Sequence, residues 1–184
     1  MNDLPAPLVQ IRDELEAARA RVHALADGVG ERLAVRPPLG GWSAAECIWH
    51  LTQTTKMTLP NIEIALAARR VPRLPDAWRP RHSFFGWLLC WVLEPPSRIK
   101  AKTPPAFEPR DVGPIDDVLA DFDGQQDALI ACLEACATVD IARLRMTSAF
   151  STRVTYSVYS GFRILATHQR RHLWQAEAAL KAAT

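Results

Sequence analysis

The chain has 184 residues, enough to bury a sizeable core without disulfides or a structural metal, and the default reading is a single domain over residues 1–184. Hydrophobic residues make up 48% and charged residues 23%, which excludes a disordered or fibrous chain. A formal net charge of +2 falls short of the concentrated basic character of a nucleic-acid binder, so no nucleic-acid partner is expected.

Cys47, Cys90, Cys132 and Cys136 include no CxxC pair, which argues for reduced thiols. The opening MNDLPAPL carries an acid and two prolines where a secretory signal needs a basic start and an apolar run. Both features predict a cytoplasmic protein.

Residues 8–33 place Leu8, Ile11, Leu15, Ala18, Val22, Leu25, Val29 and Leu33 in steps of three and four, the pattern of one long amphipathic helix. Pro37, Pro38, Gly40 and Gly41 then break the chain. Ser43 and Glu46 have the S-x-x-E spacing of a capping box, and the second helix they start is expected to run to about Arg70. Pro60 removes one backbone donor inside it, so a kink or break is expected there.

From Val71 to Gly113 eight prolines interrupt any periodicity except over Phe84–Leu93, so this stretch reads as a long connection with a short inserted helix. Pro114 suits the first position of a third helix, which Ile115, Val118, Phe122, Leu129, Leu133 and Cys136 carry to about Ala137. Thr138–Thr155 is irregular. The last helix, Tyr156 to about Ala183, bears an apolar stripe of Val158, Phe162, Leu165, Ala176 and Ala179. Four long helices and no convincing strand make the fold class all-α, with a helix bundle as the economical packing solution.

His168 and His172 continue that stripe one turn apart, so both imidazoles should point inward. A buried polar ring needs a partner, and two neutral imidazoles at this spacing can bind one metal ion. The plainer reading is a histidine pair satisfied by carbonyls or water.

The second helix opens GGWSAAECIWHL. Trp42, Ser43, Glu46, His50 and Leu51 there, with His168 and His172 near the end, resemble the DinB/YfiT-like family (DinB superfamily). The resemblance implies a four-helix bundle in which His50, His168 and His172 bind a divalent ion, zinc or nickel, and leave positions open for water or a small-molecule substrate. It implies no DNA chemistry. Members that the chain resembles include thiol-dependent transferases and isomerases, and a thiol-dependent transferase, with a low-molecular-weight thiol as cosubstrate, is the activity expected. The alternatives are a metal-dependent hydrolase and a metal or small-ligand binding protein without turnover.

Other residues have plainer explanations. Glu46 could orient a ligand histidine, but its capping role already accounts for it. Cys47 could be a fourth ligand, and Cys132 with Cys136 a thiol pair; all three fit better as core residues. His23 and His82 have no partner that the sequence identifies, and no general base can be named. The segment 84–93, flanked by Arg79, Arg81, Arg98, Lys100 and Lys102, is too short to span a bilayer. It could lie in a membrane interface, cover the site or form a homodimer contact; packing on the bundle or on a second subunit is preferred, and membrane attachment is not expected.

Overall fold

A computed structural model describes residues 4–67, 72–75, 78–96 and 103–183. They form five α-helices, two short 3₁₀ turns and one two-stranded sheet. The expected end of the second helix near Arg70, and Arg98, Lys100 and Lys102, lie outside the described residues.

Helix α1 is Ala6–Ala26, and its buried residues Leu8, Ile11, Leu15, Ala18 and Val22 are those the spacing singles out. It is shorter than the periodicity predicts. Gly28 and Gly30 take φ of +75° and +47°, a left-handed backbone that ends an α-helix. A 3₁₀ turn at Gly30–Ala34 then returns Leu33 to the core, so the apolar pattern persists although the helix does not.

Helix α2 is Ala44–Leu66. Its capping box is complete: Glu46 N–H donates to Ser43 Oγ at 3.2 Å, and Ser43 N–H donates to Glu46 Oε2 at 2.8 Å. The expected break at Pro60 does not occur. The helix continues through Pro60, which lies on its exposed side, while Leu59 and Ile62 are buried beside it. Burying each such side chain contributes roughly 1.5–3 kcal/mol, comparable with the roughly 3 kcal/mol that an internal proline costs.

Helix α3, Phe84–Leu93, packs on the last helix through Gly86, its one buried residue. A Cβ there would stand 2.3 Å from Ser160 Cβ, so only glycine allows this approach. Ser83 begins the helix by accepting a hydrogen bond from Gly86 N–H at 3.3 Å. The outer face leaves Phe84, Phe85, Trp87 and Trp91 exposed.

Helix α4 is Ile115–Glu134, with Pro114 as its cap rather than its first residue, and it ends three residues before the expected Ala137. An antiparallel pair joins β1 (Arg145–Thr147), in the stretch expected to be irregular, to β2 (Thr155–Ser157), which runs on into the expected start of the last helix, with Met146 opposite Tyr156. Strands of three residues are too short for alternation to reveal them. The last helix, α5 (Val158–Ala182), starts two residues later than expected because Ser157 caps it, accepting from Ser160 N–H at 3.1 Å.

Helices α1, α2, α4 and α5 surround the core: α2 touches α4 and α5, and α1 touches the same two. Leu8, Leu15, Ile62, Leu129, Leu133 and Phe162 lie at its centre. No helix among the described residues is long and apolar enough to cross a membrane.

Candidate metal centre

His50 lies on α2 two turns from the capping box, and His168 and His172 lie one turn apart on α5. The capping box fixes where α2 begins, and the burial of Cys47 and Thr54, one turn before and one turn after it, turns His50 towards the core. The apolar stripe of α5 points the other two rings into the same space. All three are buried, at 2%, 5% and 7% exposure. One nitrogen from each lies within 4.8 Å of the other two, and among the described residues no cysteine or carboxylate joins this cluster.

The rings converge rather than stack. Their centroids are 4.4–5.0 Å apart with interplanar angles of 54–64°. His50 Nδ1–H donates to the carbonyl of Phe107 at 2.7 Å, which sets the tautomer and leaves its Nε2 lone pair facing His168 Nε2 at 3.3 Å. Two nitrogens on one tetrahedral ion, each about 2.0–2.1 Å from it, also stand about 3.3 Å apart.

Burial lowers the pKa of His50, partly opposed by the bond to Phe107. His168 is held well below the ordinary value by burial and then by the neighbouring His172 and His50. His172 is likewise held well below it, first by burial and then by His50 and Arg171. Three neutral imidazoles present three lone pairs, the protonation state that metal ligation needs.

Do these residues fit a metal? The Nδ1 atoms of His168 and His172 are buried without a hydrogen-bond partner among the described residues. In His168 the atom that faces His50 is Nε2 rather than this Nδ1, so the fit rests on the donor set: one nitrogen from each of three buried, neutral imidazoles, all within 4.8 Å of one another. Imidazole suits zinc or nickel, whereas magnesium and calcium take oxygen ligands. Three protein ligands with no fourth match a centre that keeps a position open. The cluster could hold a divalent ion.

Aromatic side chains enclose it. The Trp42 ring lies 4.9 Å from His50 and stacks at 5.8 Å and 23° on His172. Phe150, in the loop between β1 and β2, stacks on Phe107 at 4.3 Å and meets His168 edge-on at 6.2 Å. Beyond them the histidines open into a cavity of about 750 Å³, walled on one side by Leu89, Val92 and Leu93 of α3. The inserted helix therefore builds the cavity wall. Spacing alone could not show that Phe107 and Phe150 belong here, since both lie in stretches without periodicity. Arg171, another wall residue, was visible beside His172 but carried no signal of its own.

The residues set aside from the sequence stay apart from the cluster. Burial would raise the Glu46 carboxyl, but its ion pair with Arg36 and its bond to Ser43 N–H outweigh this and hold it below the ordinary range. It serves the cap. Cys47 packs with Leu33, Ala44 and Ala45, and burial, with Glu46 beside it, pushes its thiol far up. Burial likewise pushes Cys132 to about 11 and Cys136 to about 12, and raises Cys90. None of the four is poised as a thiolate. His23 does have a partner, Asp123 at 3.0 Å, and the His82 ring lies 5.4 Å from that of Tyr159.

No curated protein and no solved structure matches the chain. A family model described as the DinB superfamily matches residues 14–176. That span runs from α1 to the last turns of α5 and contains all three histidines, and on this match the chain belongs to the DinB superfamily.

Proposed function

We propose that the protein is a metal-dependent enzyme in which His50, His168 and His172 hold a zinc or nickel ion and the adjoining cavity receives a thiol and a small electrophile. The carrying observation is the buried cluster of three neutral imidazoles, open to a cavity and joined by no acidic or thiol ligand among the described residues. In this reading α1, α2, α4 and α5 form the family's four-helix bundle as one cytoplasmic domain.

A bound divalent cation would supply Lewis acidity, lowering the pKa of a thiol placed beside it and holding the nucleophile near its target. The chain's own groups do the rest. The Phe107 carbonyl keeps the His50 proton on Nδ1, so that Nε2 faces the centre. Trp42, Phe107 and Phe150 exclude water and keep the local dielectric low, which strengthens every charge interaction within the site. Because burial keeps the chain's cysteines protonated, the nucleophilic sulfur comes from a separate low-molecular-weight thiol.

The test is turnover of an electrophile such as chlorodinitrobenzene by zinc- or nickel-loaded protein, with and without added thiol, in unmutated protein and His50→Ala. Turnover that needs both thiol and His50 supports the transferase. Ester hydrolysis that needs His50 but no thiol would move the assignment to a hydrolase. Stoichiometric metal without either activity would leave a binding protein.

A further inference from the structure

Helix α3 runs beside α5 in the same direction. Its start lies on Ser160, where Ser83 N–H donates to Ser160 Oγ at 3.0 Å, and its end lies on Arg170 and Arg171, which donate to the Glu94 carboxylate and the Val92 carbonyl. Leu89 therefore falls alongside Ile164, one turn before His168, and both line the cavity. Tyr156, in β2 just ahead of α5, and Phe150, edge-on to His168, close the same end. The opposite end begins where Trp42 stacks on His172, and the polar wall residues of α5, Arg171 and Gln175, come on that side of His168. From Ile164 to Gln175 the wall extends about 16 Å along α5, at a rise of about 1.5 Å per residue.

The three histidines thus stand partway along an elongated cavity with unlike ends. At the Ile164 end, Leu89, Phe150, Tyr156 and Ile164 carry no charge; burial pushes the Tyr156 hydroxyl above its ordinary range, and the Ser148 side chain engages it. A polar ligand group placed there would give up its water for a hydrocarbon surface, whereas an apolar group gains by leaving water. We propose that this end takes the apolar body of the electrophile, so that the substrate class is electrophiles with an uncharged hydrocarbon chain or ring, their reacting atom turned towards the histidines. This rests on the reading above that the cavity is the substrate site. It makes Leu89 and Phe150 specificity residues.

Calorimetric titration of the full chain with primary alkanols from 1-butanol to 1-octanol tests this, on zinc-loaded and zinc-free protein with the metal content measured in each sample. Binding at one site is expected to tighten roughly threefold to fourfold per added methylene until that end is filled, with or without zinc. Leu89→Gln, which puts an amide into the wall, and Phe150→Ser should each weaken 1-hexanol binding about tenfold or more. Phe84→Ser, on the exposed outer face of α3, should leave it within about twofold. Affinity that does not grow with chain length overturns the proposal, as does binding that requires zinc, since the hydroxyl would then sit on the metal. So does 1-hexanol binding that survives unweakened in either folded wall variant, or that is lost in Phe84→Ser. If Leu89→Gln fails to fold, Phe150→Ser decides by the same tenfold criterion. Failure to bind zinc would sink the metal reading alone, because the alkanol series on zinc-free protein still reports on the apolar end.

Discussion

His168 and Gln169 are consecutive residues of α5, both buried, yet they enter polar clusters of opposite kind. Gln169 meets Gln126 of α4 in a reciprocal amide pair at 2.8 and 3.0 Å, and Gln126 Nε2 also donates to the Leu15 carbonyl of α1 at 2.7 Å. This cluster closes on itself, tying three helices together and leaving nothing for a ligand. The histidine cluster stays open, its rings converging beside a cavity, with two buried ring nitrogens unpartnered among the described residues. Burial alone therefore does not separate a structural polar group from a candidate ligand; convergence of lone pairs beside a cavity does.

The sharpest way to break this contrast is to remove a member of the open cluster. His168→Ala should abolish stoichiometric zinc or nickel in protein purified without a tag or chelator, measured by elemental analysis, whereas Gln169→Leu should keep it. Metal retained in His168→Ala would return the histidines to the core.

The next largest effect is on acid stability of the metal-free protein. All three histidines titrate lower when folded than when unfolded, so below about pH 6.5 the unfolded chain takes up protons that the folded chain resists. The stability they confer is fully present above that pH and is lost as the pH falls towards their folded values. The melting temperature of the metal-free protein should fall as the pH is lowered below about 6.5. A flat profile there would mean that the imidazoles protonate freely, and the open cluster would not be buried as described.

A smaller effect is expected from the closed cluster. Gln126→Leu strands the Gln169 amide and should cost about 1–3 kcal/mol, a fall of a few degrees in melting temperature, with metal content unchanged. Adding Gln169→Leu should recover much of that loss, since an apolar pair replaces a half-satisfied polar one. Loss of metal in Gln126→Leu would show that the two clusters are coupled.

Much of the fold was legible because burial imposes periodicity. Leu8, Ile11 and Leu15 on α1 and Phe162, Leu165 and Ala176 on α5 are spaced for one helix face and are buried as that spacing requires. Ser43 and Glu46 made the start of α2 visible because capping is a local hydrogen-bond exchange. The end of α1 was misplaced because Leu33 keeps the apolar rhythm across two glycines whose backbone no longer follows the helix. The strand pair β1–β2 was missed because three residues cannot show an alternation.

By itself the sequence determined the three histidines and the helices that carry them, because H-x-x-x-H spacing and a capped helix start are written in consecutive residues. Only the tertiary structure decided that Phe107 and Phe150 stand beside those histidines, that α3 walls the cavity, and that Gln169 closes on Gln126 while its neighbour His168 does not. Those contacts join segments far apart in the chain, and their positions depend on how helices pack rather than on any pattern within one helix.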